Sequence, residues 1–192
     1  QNLSIARGSY TAGEPAVRYR GIFLNDEAPC LTGWVKNTYG TDYGDHRFYE
    51  RVFELILRLR GNFMWPAMWS WAFYADDPEN SRIADEMGVI MGTSHHEPMA
   101  RNHQEWARNR KEYGAWNYRT NKKVIDQFFR EGIERMQDTE DVVTIGMRGD
   151  GDEAMSREAD LALLEDVIEN QRRIIRRVTR RPAEETPQVW AL

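Results

Sequence analysis

Short runs rich in β-branched and aromatic residues alternate with stretches of helical periodicity, and this alternation limits the fold more than any other feature. The first run is Val17–Leu24 and it ends in Asn25-Asp26-Glu27. Residues Asp45–Leu59 follow, with Phe48, Val52, Leu55, Ile56 and Leu59 spaced to make one apolar helical face, and Gly61 placed where a helix C-cap glycine belongs. A second run, Asn62–Trp65, is closed by Pro66. A short helix over Asn80–Glu86 leads to a third run, Gly88–Thr93, and Ser94-His95-His96-Glu97-Pro98 opens the next loop. Helical patterns over Gln104–Glu112 and Asn121–Met136, the latter with Asn121 as N-cap, precede a fourth run, Val142–Met147. That run passes into Arg148-Gly149-Asp150-Gly151-Asp152. A long helix over Arg157–Val178 then carries Arg172, Arg173, Arg176 and Arg177 in its last turns, and Gln188–Leu192 starts a fifth strand.

Such an order predicts an α/β fold of parallel strands joined by crossover helices. The strand starts recur about every 43 residues, so eight units would need roughly 340, far more than the 192 present. The expectation is a partial (β/α)8 TIM barrel: the first four βα units and the start of strand five, over residues 17–192, behind a lead-in segment 1–16. An open five-stranded sheet is the competing architecture. That class usually carries a glycine-rich phosphate loop after its first strand, whereas Asn25-Asp26-Glu27-Ala28-Pro29 is acidic and would repel phosphate.

Composition removes several functions. Twenty-six basic against 31 acidic residues leave a net charge of −5, the wrong sign for a general nucleic-acid binder. No apolar run approaches the ~20 residues of a membrane span. A single cysteine, Cys30, excludes an internal disulfide framework and most thiolate zinc sites. Seven tryptophans suit either a large core or a cleft that stacks sugar rings.

Polar residues collect just after strands one, three and four, which is the end where α/β folds place their chemistry. In Asn25-Asp26-Glu27, neighbouring side chains diverge, so at most one carboxylate heads into a central site; the other reading is a loop carboxylate capping the next element. Trp65, Trp69 and Trp71 offer a platform for a sugar face, or simply core packing. His95 and His96 also diverge on extended backbone and lack the i, i+4 spacing of a zinc hydrolase pair, so one histidine reaching a substrate hydroxyl or carboxylate is favoured over a metal. In Arg148-Gly149-Asp150-Gly151-Asp152 the glycines allow a sharp turn, Arg148 offers a two-pronged fork to a carboxylate, and Asp150 and Asp152 can share a side. A calcium loop is the alternative, but the later glutamate of an EF-hand is missing. There is no G-x-S-x-G elbow. Carboxylates, a histidine and an arginine among tryptophans point to carbohydrate chemistry, where glycoside hydrolysis needs two carboxyl groups across the scissile bond.

Four segments in order, Arg18–Glu27, Arg60–Trp69, Gly92–Met99 and Thr144–Asp152, resemble the opening of the glycoside hydrolase family 115 catalytic domain, the xylan α-1,2-glucuronidases. The resemblance implies a (β/α)8 barrel within a longer, exported enzyme, secreted or periplasmic, and is compatible with a homodimer. It implies removal of glucuronic acid or its 4-O-methyl ether from glucuronoxylan, with inversion, without metal or other cofactor, and with no nucleic-acid or membrane partner. By motif, Asp152 is the general acid, and Arg148 and His95 hold the uronate and its hydroxyls. Asp26, Glu27 and Trp65 complete the substrate-binding set. To act, Asp152 must hold a proton, which asks for desolvation or a neighbouring carboxylate such as Asp150. Because the chain stops inside strand five, it is expected to lack the loops that bring the partner base, and so to release little or no methylglucuronate by itself. Two alternatives remain: a non-catalytic module that grips acidic xylan, and a metal-dependent hydrolase built on His95, His96 and Glu97.

Overall fold

A computed structural model describes residues 4–67, 69–156 and 160–191. Strand β1 (Gly21–Asn25) pairs in parallel with β2 (Phe63–Ala67), and β2 with β3 (Ile90–Met91). Strand β4 (Val143–Gly146) pairs in parallel with β5 (Gln188–Ala191). The two groups meet where Val142 N–H donates to Met91 O (2.8 Å) and Thr144 Oγ1 to Thr93 O (2.9 Å). Neighbouring strands therefore follow chain order, and all their carboxyl ends lie together. Ile22, Leu24 and Met64 face the core, while Phe23 and Trp190 stand more than half exposed.

The strands depart from expectation for local reasons. Residues 17–20 stay outside β1 because side chains take their polar groups: Arg20 Nη1 donates to Val17 O and Arg18 O, and Asn62 Nδ2 to Arg18 O. Pro66 does not end β2. Residues 62 and 64 accept hydrogen bonds from the β3 side, so residue 66 also faces that side, and β3 has by then left the sheet. The absent proline N–H has no strand to serve.

Eight helices lie among the described residues: α1 (Cys30–Tyr39), α2 (His46–Arg58), α3 (Phe73–Asp76), α4 (Glu79–Met87), α5 (His103–Arg108), α6 (Arg110–Tyr113), α7 (Tyr118–Met136) and α8 (Leu161–Thr179). Helix α1 has no counterpart in the sequence reading; Leu31, Val35 and Tyr39 lie on one face of it, but only Val35 of its ten residues is buried. Helix α2 starts on Asp45, whose carboxylate accepts from Arg47 and Phe48 N–H. Its buried face is Phe48, Tyr49, Phe53 and Ile56, while Leu55 and Leu59 are exposed; the aromatic contacts of Tyr49 with Phe53 and Phe73 turn the helix that way. Past its end the left-handed residue is Arg60 (φ 63°), not Gly61. Gly61 is required for a different reason: a Cβ there would sit 2.8 Å from Arg20 O.

The single helix expected over 104–112 breaks at Asn109 into α5 and α6. Asn117 caps α7, accepting from Arg119 and Thr120 N–H. Asn121 is instead a non-helical residue inside it, its Nδ2 turned back to Tyr113 O and Ala115 O. The expected first residues of the last helix, 157–159, and residue 192 lie outside the described residues, as does Met68 in the tryptophan segment. Helix α8 begins on Asp160, which accepts from Leu163 N–H, and packs along α7. No described helix is long and apolar enough to cross a membrane.

Candidate active site

Four loops leave the carboxyl ends of β1 to β4, and every predicted site residue lies in them except Trp65, which sits in the middle of β2. Asp26 is buried, and backbone amides use both its oxygens. Trp69 N–H donates to Oδ1 (2.6 Å), Ser70 and Trp71 N–H to Oδ2 (2.7 and 2.8 Å). Its neighbour Glu27 turns the other way, exposed, and accepts from Asn25 Nδ2 at 2.7 Å. Asp26 thus ties β1 to the loop after β2. That loop is also held by Gln104 Nε2 on Trp69 O, Arg108 Nη2 on Ser70 O (2.7 Å) and Trp71 Nε1 on Asp42 O (2.8 Å).

The three tryptophans separate by environment. Trp71 is in the core. Trp65, half-buried on β2, meets Phe23 edge-on at 5.8 Å, and its Nε1 is buried without a hydrogen-bond partner. Trp69 is the exposed one, and its ring stacks on His96 at 5.6 Å and 22°.

The loop after β3 is built around Glu97. This fully buried carboxylate accepts from Ser94 N–H (3.3 Å), His103 N–H (3.2 Å) and Asn102 Nδ2 (3.4 Å), while Thr93 Oγ1 donates to its carbonyl at 2.7 Å. Burial, opposed by those donors, pushes its acid up to about 8. Burial likewise pushes His96 down to about 4, helped by His103 and His95, so that ring is neutral at pH 7. Helix α7 braces the loop from below. Gly132 lets it approach, since a Cβ there would lie 2.1 Å from Met99 O, and Arg135 grips Glu105 with both Nη atoms (3.0 and 2.7 Å) and also binds Ala100 O.

His95 escapes this packing and projects to the surface, toward the loop after β4. Its Nε2 lies 3.0 Å from Asp152 Oδ1, and Arg148 Nε lies 3.3 Å from the same oxygen. Both reach ion-pair distance without hydrogen-bond alignment, so Oδ1 is a buried oxygen with no hydrogen-bond partner. Three of the predicted residues, His95, Arg148 and Asp152, therefore converge. Asp26 reaches the trio only through Trp69 and the His96 stacked on it; Glu27 and Trp65 make no contact with the trio among the interactions described. Asp150 does not crowd Asp152, because its carboxylate is paired with Arg110. The turn itself is bent, with Asp150 (φ 42°) and Asp152 (φ 68°) both left-handed and Gly151 between them.

Among the described residues, two histidine–carboxylate groups bring ligand atoms within 4.8 Å of one another: His95, His96 and Asp152, and His96, Glu97 and His103. Competing partners occupy each. The Arg148 cation already faces Asp152, and three donors already hold Glu97. A groove of about 890 Å³ between α7 and α8, lined by Lys122, Arg130, Glu134 and Arg177, shares no residue with the site.

The residues the sequence reading missed are those that work from behind, Arg110 on α6 and Trp116 before α7; of the three tryptophans it offered as a platform, Trp69 is the exposed one. Only the acidic partner Asp150 hints at Arg110.

The family model for glycosyl hydrolase family 115 matches residues 12–192. No curated protein matches the chain. A solved structure of a family GH115 4-O-methyl-α-glucuronidase with specificity for decorated arabinogalactans, BtGH115A, superposes with a TM-score of 0.80 at 36% identity, covering 91% of this chain. The chain spans 24% of that protein's length.

Proposed function

Since the chain belongs to glycosyl hydrolase family 115, we propose that it carries the acid half of an inverting active site that removes glucuronic acid, or its 4-O-methyl ether, from glucuronoxylan side chains. The observation that carries this reading is the unpartnered Asp152 oxygen, with His95 Nε2 at 3.0 Å and Arg148 Nε at 3.3 Å. The pairing of strands in chain order supports a closed (β/α)8 barrel as its setting.

The uronate is an anion, and Arg148 is the cation placed to bind it through two N–H groups. Seating the uronate on Arg148 takes that cation away from Asp152, so that a proton rather than the guanidinium then balances the carboxyl. Asp152 gives this proton to the departing sugar oxygen as the C1–O bond breaks. His95 holds a ring hydroxyl, and the exposed Trp69 face offers a surface for an adjoining sugar. Water attacks C1 from the opposite face, activated by a second carboxylate across the bond. None of Asp26, Glu97 and Asp150 is free for that task, each being held by other donors.

Replacing Asp152 with Asn in the enzyme that contains this chain tests the reading. Release of 4-O-methylglucuronate from glucuronoxylan should fall by about 10²–10⁴ with the fold retained, as loss of a general acid does; unchanged release refutes it. A second reading, favoured by the specificity of BtGH115A, takes decorated arabinogalactan as the substrate. Parallel assays on the two polysaccharides separate them.

A further inference from the structure

The turn that presents Arg148 and Asp152 is held almost entirely from one side, by the corner linking α5, α6 and α7. Trp116 Nε1 donates to Met147 O at 3.1 Å, fixing the residue just before Arg148. The same indole abuts Gly149: a Cβ there would fall 2.5 Å from Trp116 Cε2 and Cζ2, so backbone and ring are in direct contact. Arg110 pairs with Asp150, and Tyr118 N–H points to Met155 Sδ at 3.3 Å. The indole is itself immobilised, edge-on to Trp106, Phe128 and Phe129. Left-handed backbone at Asp150 and Asp152 is costly for residues with a Cβ and persists only where the surroundings impose it.

We propose that Trp116, with Arg110, is a positioning residue for the reaction: it holds the Met147–Asp150 backbone so that the Asp152 carboxyl meets the leaving oxygen. This inference rests on the assignment of Asp152 as the acid. It makes Gly149 a position where only glycine leaves the indole in place.

The test uses the intact enzyme and two substrates that differ in their need for an acid. A glucuronoxylan oligosaccharide requires protonation of its departing sugar oxygen. In α-glucuronyl fluoride the leaving group departs as fluoride and needs little help from a proton. Asp152→Asn is the reference and should lose rate on the oligosaccharide but not on the fluoride. Gly149→Ala, which pushes the turn off the ring, should lose about 10- to 100-fold in kcat on the oligosaccharide and under about threefold on the fluoride. Trp116→Phe keeps a ring under Gly149 but loses the Nε1–H donor, so it should fall between Gly149→Ala and the parent; Arg110→Lys should restore most of the loss seen in Arg110→Met. Equal losses on both substrates, or none on either, for Gly149→Ala and Trp116→Phe overturn the positioning role while the reference still splits. A reference that fails to split overturns the acid assignment and this inference with it.

Discussion

Replacing Asp26 with Ala should destabilise the protein by about 2–6 kcal/mol, although the sequence reads Asp26 as a ligand for substrate. Its carboxylate accepts three backbone N–H groups at 2.6, 2.7 and 2.8 Å, all from residues more than 40 positions away. The Trp71 amide is buried beyond the reach of water, and leaving it unpaired costs about 1–3 kcal/mol. Trp69 and Ser70 are exposed enough for water to replace the carboxylate, so each contributes only about 0.5–1.5 kcal/mol. Asp26→Asn keeps one acceptor oxygen and turns an NH₂ group toward a donor, so it should fall between the parent and Ala, at about 1–2 kcal/mol. Urea unfolding with an unchanged denaturant slope reads these differences directly. A residue that served the substrate alone would behave in the opposite way, with stability preserved and KM raised. An Asp26→Ala protein whose unfolding free energy stays within about 0.5 kcal/mol of the parent refutes the reasoning.

Arg148→Lys retains the charge but loses the fork, and Arg148→Met loses both; with the guanidinium partly exposed, KM for glucuronoxylan oligosaccharides should rise by about 10- to 100-fold in Met and less in Lys, and equal KM values in all three proteins would remove Arg148 from substrate binding. Glu97 keeps its proton in the fold up to about pH 8, whereas in the unfolded chain it ionises near the ordinary glutamate value of 4.5. The unfolded state therefore binds fewer protons between those values, and stability falls as pH rises through that window, by up to about 1.4 kcal/mol per unit. Glu97→Gln should flatten this slope in denaturant titrations from pH 5 to 8, and an unaltered slope would show that Glu97 is not its source. A chelator should leave glucuronate release unchanged if Asp152 and its partner carboxylate do the chemistry; loss of activity, restored by a divalent cation, would move the chemistry to His95, His96 and Asp152.

The sequence carried the parallel alternation and the ends of the strands because those signals are local and periodic. The helical patterns around 46–58, 118–136 and 161–179 are strong, and polar residues crowd the ends of the runs that became β1, β3 and β4. Helix α1 is the weaker case: Leu31, Val35 and Tyr39 follow helical spacing, but Val35 alone is buried and the helix packs lightly on the core. His95, Arg148 and Asp152 were legible as a group because each lies beyond a strand end and two of them flank a glycine turn. The work of Asp26 was not legible, since its partners are backbone amides, which have no residue-type signature, and they come from the next βα unit. The same holds for Arg110, whose ion pair with Asp150 joins positions 40 apart.

Asp26, Glu27, Glu97, Asp150 and Asp152 all lie in the loops of this face, and residue type alone gives no reason to rank them. Their partners do. Asp26 is filled by three backbone amides, and Glu97 by two amides and Asn102. Asp150 is neutralised by Arg110, and Glu27 points outward with Asn25 on one oxygen. Asp26 and Glu97 are held by three donors each and Asp150 by a cation, while Glu27 turns away from His95, Arg148 and Asp152 with one oxygen open to solvent. Asp152 differs because its Oδ1 is desolvated, faced by a histidine and an arginine, and still lacks an aligned donor. Leaving a buried acceptor in that state costs about 1–3 kcal/mol, which a fold tolerates where something else is meant to complete the set. A leaving-group oxygen sharing a proton with that carboxyl would do so, and on that ground the acid role is proposed for Asp152 and not for its more numerous neighbours.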